Sequence, residues 1–319
     1  MPRNNRPVSL KEIQEQYSRP EAVVSPQLLR RLQRDPRSGA AKLYQSLLRR
    51  WKEQCEENRR LDSMLHFERV LWKAGITRIA GVDEVGIGPL AGPVVAAAVV
   101  FSPGIDIADI NDSKLLDAPT RQRLDREIRA KASGIGIGVV DIEEIDRINI
   151  YHAGLRAMQL AITALPEAPQ HVLVDSRSIP NIPLPQNSFD KGDGINFSIA
   201  SASIVAKVYR DNLMTELDST YPGYGFADHK GYATPVHQRA IRELGPCKIH
   251  RQSFDYIREL CGNYSALYYE LKAEGASIQE RRALAQWEKR FQESKLQLSA
   301  MEYKKIQLTA RRLWKRISH

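Results

Sequence analysis

The segment Ala91–Phe101 constrains the fold most. It reads Ala-Gly-Pro-Val-Val-Ala-Ala-Ala-Val-Val-Phe and offers no charged or hydrogen-bonding side chain. A short, Val-rich apolar run of this kind is a strand covered by protein on both faces. Helices must supply that cover, so the fold class is α/β.

The neighbouring sequence agrees. Strands are predicted at Ile79–Val85, at Gly134–Val140, where glycines alternate with Ile and Val, and at His171–Asp175. Helices are predicted over about 118–132, 141–147, 150–165, Ser198–Asp218 and 234–244, with a Gly/Tyr/His loop at Tyr221–Gly231. Before this domain, residues 8–36 read as two short helices broken near Pro20, Pro26 and Pro36. Ser38–Lys73 reads as one long helix with an apolar stripe through Leu47, Trp51, Leu61 and Leu65. After it, 262–319 shows amphipathic helices and no strand signal. The expected organisation is a basic helical extension at 1–74, a catalytic domain at 75–261 and a basic helical extension at 262–319.

Charge follows the same division. Residues 1–74 carry 16 basic and 9 acidic side chains, and 262–319 carry 12 and 6, whereas the middle is mildly acidic. Basic arms fit a polyanion partner through counterion release, or they are simply solvated helix faces. No run of 18 apolar residues occurs, so no membrane span is expected. The polar start Met1-Pro-Arg-Asn-Asn-Arg lacks a signal-peptide core. Cys55, Cys247 and Cys261 form neither a disulfide framework nor a zinc spacing, which points to a reducing cytoplasm. Nothing requires more than a monomer. Gln297-Leu298-Ser299 and Gln307-Leu308-Thr309 are faintly similar to sliding-clamp peptides but lack their hydrophobic ending.

The chemistry concentrates in four acids. Asp83 and Glu84 lie within the apolar run Gly81-Val82-Asp83-Glu84-Val85-Gly86, Asp175 ends an apolar strand, and Asp193 precedes a helix. Singly, a strand-end Asp is a turn residue and an Asp before a helix is a cap. An Asp-Glu pair inside an apolar strand has no such reading, because unpaired buried charge is costly. If the four converge, like charges 4 Å apart repel by roughly 4 kcal/mol at an effective dielectric near 20, and cations must offset this. Hard oxygen ligands suit Mg²⁺ or Mn²⁺, and two such ions support phosphodiester hydrolysis. Adjacent strand residues point to opposite faces, so bringing Asp83 and Glu84 together calls for a bend or bulge near Gly86-Ile87-Gly88, or for a backbone carbonyl ligand.

These segments together resemble ribonuclease HII, of the type 2 ribonuclease H family. Ile79-Ala-Gly-Val-Asp-Glu-Val-Gly-Ile-Gly-Pro-Leu-Ala-Gly-Pro-Val94 resembles the family's first motif, and Asn111-Asp112-Ser113-Lys114, Leu173-Val174-Asp175 and Lys191-Gly192-Asp193 resemble later ones. Ala202–Val208, Tyr221–Phe226, His229–Tyr232 and His250-Arg251-Gln252-Ser253-Phe254 follow in the family's order, so the likeness covers about 76–256. It implies a ribonuclease H-like mixed five-stranded sheet flanked by helices. It also implies an endonuclease that hydrolyses RNA in RNA–DNA hybrids and cuts at ribonucleotides embedded in DNA, leaving 3′-hydroxyl and 5′-phosphate ends. By the resemblance Asp83, Glu84, Asp175 and Asp193 are catalytic metal ligands. Gly86, Ile87 and Gly88 correspond to the reader of the ribose 2′-hydroxyl, which distinguishes RNA from DNA. Tyr232 corresponds to a sugar-packing tyrosine, while Ser113, Lys114 and Lys191 are candidates for phosphate contact.

Two departures matter. Ile87 stands where the family usually has Arg, and Gly194-Ile195-Asn196 replaces Ala-Lys-Ser. Both remove positive charge, leaving open an enzyme that cuts long hybrids but not single ribonucleotides. A hybrid-binding protein without turnover and a resolvase-like or transposase-like nuclease are the alternatives. Retention of all four acids argues against the first, and the Tyr-Pro-Gly-Tyr-Gly-Phe segment against the second.

Overall fold

The computed structural model describes residues 8–19 and 22–317. The opening Met1–Arg6 and the break at Pro20 lie outside the described residues. The elements in order are α1 (Leu10–Tyr17), α2 (Pro26–Gln33), α3 (Ala40–Met64), α4 (His66–Lys73), β1 (Ile79–Val85), β2 (Val94–Val100), α5 (Ala118–Lys131), β3 (Gly134–Val140), α6 (Ile142–Thr163), β4 (His171–Asp175), β5 (Gln186–Phe189), α7 (Phe197–Thr220), α8 (Phe226–His229), α9 (Pro235–Leu244), α10 (Asp255–Leu260), α11 (Ala266–Ser277), α12 (Arg281–Glu293) and α13 (Ala300–Ile317). The chain forms two compact units. Among the described residues, one comprises 8–19, 22–85, 94–139 and 154–210, and the other comprises 86–93, 140–153 and 211–317.

The first unit holds the five-stranded sheet, in the order β3-β2-β1-β4-β5. β1 runs antiparallel to β2 and parallel to β4, and β4 runs parallel to β5. It is the mixed sheet expected, and every residue of β2 is buried. Val95, Ala97 and Val99 pack with Leu124 and Ile128 of α5 and with Phe197, Ala200 and Ile204 of α7. Ile135 and Ile137 of β3 join this core, so Gly136 and Gly138 face the other way. There a Cβ on either would lie 2.0 Å from the carbonyl oxygen of Ala161 or Ala157 in α6. The Gly-x-Gly-x-Gly alternation of β3 is therefore the imprint of a helix lying flush on the strand.

One sequence expectation changes. The single long helix at 38–73 is broken at Leu65, whose φ −83° and ψ 7° end α3 and begin α4. The break serves packing: Leu61, Met64 and Leu65 enter the core of the sheet, while α4 turns Glu68 inward to 0% exposure. The fifth strand, implied only by the resemblance, is Gln186–Phe189. Asn149, at φ 70° and ψ 162°, interrupts α6 between its two predicted helices. Its side chain accepts from the N–H groups of Tyr151 and His152 at 3.0 and 3.2 Å, capping the second half.

The second unit has two cores. Leu90, Ala91, Met214, Tyr224, Phe226 and Ile257 belong to one. Tyr268, Leu271, Leu284, Trp287, Phe291 and Leu313 belong to the other, built by α11–α13. Among the described residues no helix is long and apolar enough to cross a membrane, and none of the three cysteines is in a disulfide.

Candidate nuclease site

The acids of the first unit are placed by the sheet. The β1–β4 pairing runs from Ile79 opposite His171 to Val82 opposite Val174. One step further, Asp83 and Asp175 stand side by side where β4 ends. Glu84 lies past that end, where no β4 backbone separates the two faces of β1. The ladder to β2 stays regular through Val85 opposite Val95. The ladder therefore carries no bulge within Ile79–Val85, and the backbone first leaves strand geometry at Gly86, whose φ is 96°. Asp83 also folds back along its own strand, accepting from the Glu84 N–H at 2.7 Å.

Asp193 sits in a tight turn, Gly192–Gly194, just ahead of α7. Asp175 anchors this turn by accepting from the Gly192 N–H at 2.6 Å. The helix that follows must come close to β1, and Gly81 permits it: a Cβ there would meet Ser198 at 2.1 Å. Asn196, one of the departures from the family pattern, has a structural use. It accepts from the Ile199 N–H at 3.0 Å as a helix cap and donates to Glu68 at 3.1 Å. Glu68 also accepts from the Ser198 N–H and hydroxyl at 3.0 and 2.6 Å. Burial pushes its pKa up, against the pull of these donors.

Electrostatics join the four acids into one group. Burial holds the Asp83 carboxyl well above the usual range, and the charges of Glu84, Asp175 and Asp193 push the same way, while a hydrogen bond from Ser203 opposes them. Burial and the charge of Asp175 push Glu84 up to about 7. Lys114 and Arg177 both act as cations on Glu84, and the Lys114 Nζ lies 2.9 Å from Asp193 and 3.9 Å from Asp112. Burial alone would lower its pKa, but Asp193, Asp112 and Asp83 raise it to about 12. Ser113 is only 3% exposed. Its hydroxyl pairs at 2.9 Å with Ser203, placing it inside the carboxylate network. Lys191 is exposed and left-handed, at φ 57°. Among the described residues no three of His, Cys, Asp or Glu stand close enough as they are to enclose an ion. The donor chemistry nevertheless fits a hard divalent cation: carboxylate oxygens, shielded from water, with repulsion that a cation would relieve.

The loop Gly86–Pro93 belongs to the second unit and is organised there by Arg251. This side chain is fully buried. Its guanidinium donates to the carbonyls of Gly86, Ile87, Pro89, Gly92 and Pro93 over 2.5–3.3 Å. Its backbone N–H donates to the Leu90 carbonyl at 2.9 Å. A Cβ on Gly88 would lie 3.8 Å from the ring of Tyr232, which is 41% exposed. Behind Tyr232 runs a chain of imidazoles. The Cys247 N–H donates to His250 Nδ1 at 2.9 Å, His250 Nε2 donates to His237 Nε2 at 3.1 Å, and His237 Nδ1 donates to the Tyr232 carbonyl at 2.8 Å. Each link fixes the next tautomer.

Comparison with known proteins identifies the combination. The family model described as "Ribonuclease HII" matches residues 80–257. The model "Ribonuclease HII N-terminal domain" matches 9–72. The chain belongs to the ribonuclease HII family. Relatives named "Ribonuclease HII" from Anaeromyxobacter sp. (strain Fw109-5) and Myxococcus xanthus (strain DK1622) are 46% and 47% identical over 255 residues, covering 80% of this chain and 81% and 87% of theirs. Membership of the ribonuclease HII family makes the protein an endoribonuclease. The ribonuclease H2 from Pyrococcus horikoshii OT3 shares the fold, with a TM-score of 0.51, 24% identity and coverage of 58% of this chain and 98% of its own.

Sequence reading missed Ser203, Glu68, Arg251 and the histidine chain. Arg251 lies inside the matched His-Arg-Gln-Ser-Phe segment, and Glu68 interrupts the apolar stripe of its helix, so both left a signal. Of the two clamp-like segments, Leu298 is a core residue of the α11–α13 module and Gln307–Thr309 lies within α13.

Proposed function

We propose that the protein is a divalent-metal-dependent endonuclease that hydrolyses the RNA strand of RNA–DNA hybrids and cuts at ribonucleotides embedded in duplex DNA. The placement of the acids carries this reading: Asp83 and Asp175 follow the last paired residues of β1 and β4, and Asp175 holds the turn that bears Asp193. These four would hold Mg²⁺ or Mn²⁺. When bound, the ions supply charge neutralisation and activation of water. Water adds to phosphorus and the P–O3′ bond breaks, leaving a 3′-hydroxyl and a 5′-phosphate.

The chain's own residues bind and orient. Ser113 holds Ser203, which steadies Asp83. Lys114 and Lys191 offer positive charge to phosphate. The backbone of Gly86, Ile87 and Gly88 reads the ribose 2′-hydroxyl, and Tyr232 packs on the sugar. The protein acts as a monomer in the cytoplasm.

The test uses two labelled duplexes, one a long RNA–DNA hybrid and one carrying a single ribonucleotide, with Mg²⁺ or Mn²⁺. Wild type should cut both and Asp83→Asn neither. Cleavage of the hybrid alone would restrict the activity to long hybrids. Cleavage of neither would leave a hybrid-binding protein.

A further inference from the structure

The module α11–α13 lies beyond the family match, which ends at residue 257. It has its own core and its own fastenings. Glu302, the sole acid of α13, is 5% exposed and accepts from the N–H groups of Ser265 and Ser299 at 2.6 and 2.7 Å. Trp287 donates to the Leu271 carbonyl at 2.9 Å.

The cations of α13 divide into two sets. Lys305 turns inward, 3.3 Å from Asp255 and over the ring of Tyr264, and Arg316 donates to the Ile278 carbonyl at 2.6 Å. Lys304, Arg311, Arg312 and Lys315 are exposed. Spacings of 7, 8 and 11 from Lys304 put them on one side of the helix, along about 16 Å of axis at 1.5 Å per residue. Met301 and Leu308, 45% and 43% exposed, share this stripe. Among the described residues no carboxylate pairs with any of the four cations.

In the other basic arm the charges are mixed: Arg37 pairs with Asp35 at 2.6 Å, Arg60 with Glu57 at 2.7 Å and Arg69 with Asp62 at 2.5 Å, although Arg30, Arg31 and Arg34 of α2 are exposed and, among the described residues, likewise pair with no carboxylate. A face that serves only solubility interleaves charges of both signs. A single-sign stripe complements a polyanion, and a duplex presents a line of phosphates to such a surface.

We propose that the outward stripe of α13, formed by Lys304, Arg311, Arg312 and Lys315, binds the phosphate backbone of a nucleic-acid duplex. It contributes affinity without base or sugar selection, since lysine and arginine on phosphate carry no sequence information. It borrows from the proposed function only that the substrate is a duplex.

The experiment compares the full chain with the variant K304Q/R311Q/R312Q/K315Q. Binding to an RNA–DNA hybrid and to a DNA duplex of equal length is measured in chelator, so that no cleavage occurs, across a series of salt concentrations. Each phosphate contact contributes about 0.9 to the slope of log affinity against log salt. The variant should therefore lose about 3–4 from that slope on both duplexes, with affinity weakened about 10- to 100-fold at moderate salt. Its thermal midpoint should match wild type, because all four side chains face solvent. The charge-preserving variant R311K/R312K should keep the wild-type slope. An unchanged slope in the quadruple variant would overturn the proposal, as would loss of binding to anionic phospholipid vesicles with duplex binding intact. If wild type binds with a steep slope but cuts no hybrid, the proposed function falls and the stripe stands. If wild type cuts hybrid while the variant keeps its slope, the reverse holds.

Discussion

Two buried charge systems in this protein are built on opposite terms. The carboxylates of the first unit are crowded by their own kind: Asp83 is held far above its usual pKa by burial and by three neighbouring acids. Arg251 of the second unit is as deeply buried, yet its guanidinium is surrounded by carbonyls of one loop. Backbone oxygens spread over a planar fork match its donors without strain. One site stores repulsion that a cation can relieve, whereas the other spends its charge on fixing a backbone. Stability and activity should therefore respond to mutation in opposite ways at the two places.

The sharpest break comes at Asp83. Asp83→Asn should reduce cleavage by at least on the order of 10³-fold, the scale seen when one member of a catalytic group is removed. The same change removes a like charge from the crowded site, so stability should hold or rise, by about 1–2 kcal/mol. Denaturant melts beside single-turnover assays would check it. A variant that loses activity only because it unfolds would contradict the view of Asp83 as a stored repulsion.

At Arg251 the expected sign is reversed. Arg251→Met leaves several carbonyls buried without donors and should destabilise by about 3–5 kcal/mol. Arg251→Lys keeps the charge but not the fork and should cost about 1–3 kcal/mol. Chemical denaturation decides; equal stability for all three proteins would mean that the loop does not depend on this side chain.

The histidine chain behind Tyr232 gives a pH test of the second unit. Burial lowers both His237 and His250 to about 4, each also opposed by the charge of a neighbouring histidine. Unfolded histidine titrates near 6.5. Between these values the unfolded chain binds more protons, so stability rises with pH. The contribution is fully present above about 6.5 and is lost as pH falls toward about 4. Moving from pH 7 to pH 5 should cost up to about 2 kcal/mol per histidine, read from urea midpoints. His237→Gln should flatten this dependence, and an unaltered profile would remove the histidines as its source.

How much of this was legible follows from the kind of signal each feature leaves. The strands β1 to β4 are apolar or marked by Gly and Val, which located β1, β3 and β4 to the residue, while the apolar run that contains β2 begins three residues before the strand. β5 reads Gln-Asn-Ser-Phe; an edge strand made of polar residues has no alternation to find. The break at Leu65 was invisible because the apolar stripe continues across it. The four acids were legible because burying charge is costly enough to stand out. How Asp83 is placed beside Asp175 was not, since the register of β1 against β4 is a property of pairing between distant segments. Arg251 was hidden for a related reason: its partners are carbonyls, which every residue has, so no side-chain pattern in 86–93 announces it.

The smallest effect expected concerns Ile87, where a buried-charge argument meets an absent charge. Ile87 is 37% exposed, and its carbonyl is already held by Arg251 at 3.1 Å. The backbone of the loop is thus fixed independently of the side chain at this position. If glycine backbone alone reads the 2′-hydroxyl, replacing Ile87 with Arg adds only a partly exposed phosphate contact of about 1 kcal/mol. Cleavage at a single ribonucleotide should then rise about fivefold at most, mostly through KM, with cleavage of long hybrid moving by the same factor. A much larger gain confined to the single-ribonucleotide duplex would show that the side chain takes part in recognition, and that a rigid backbone is not sufficient for it.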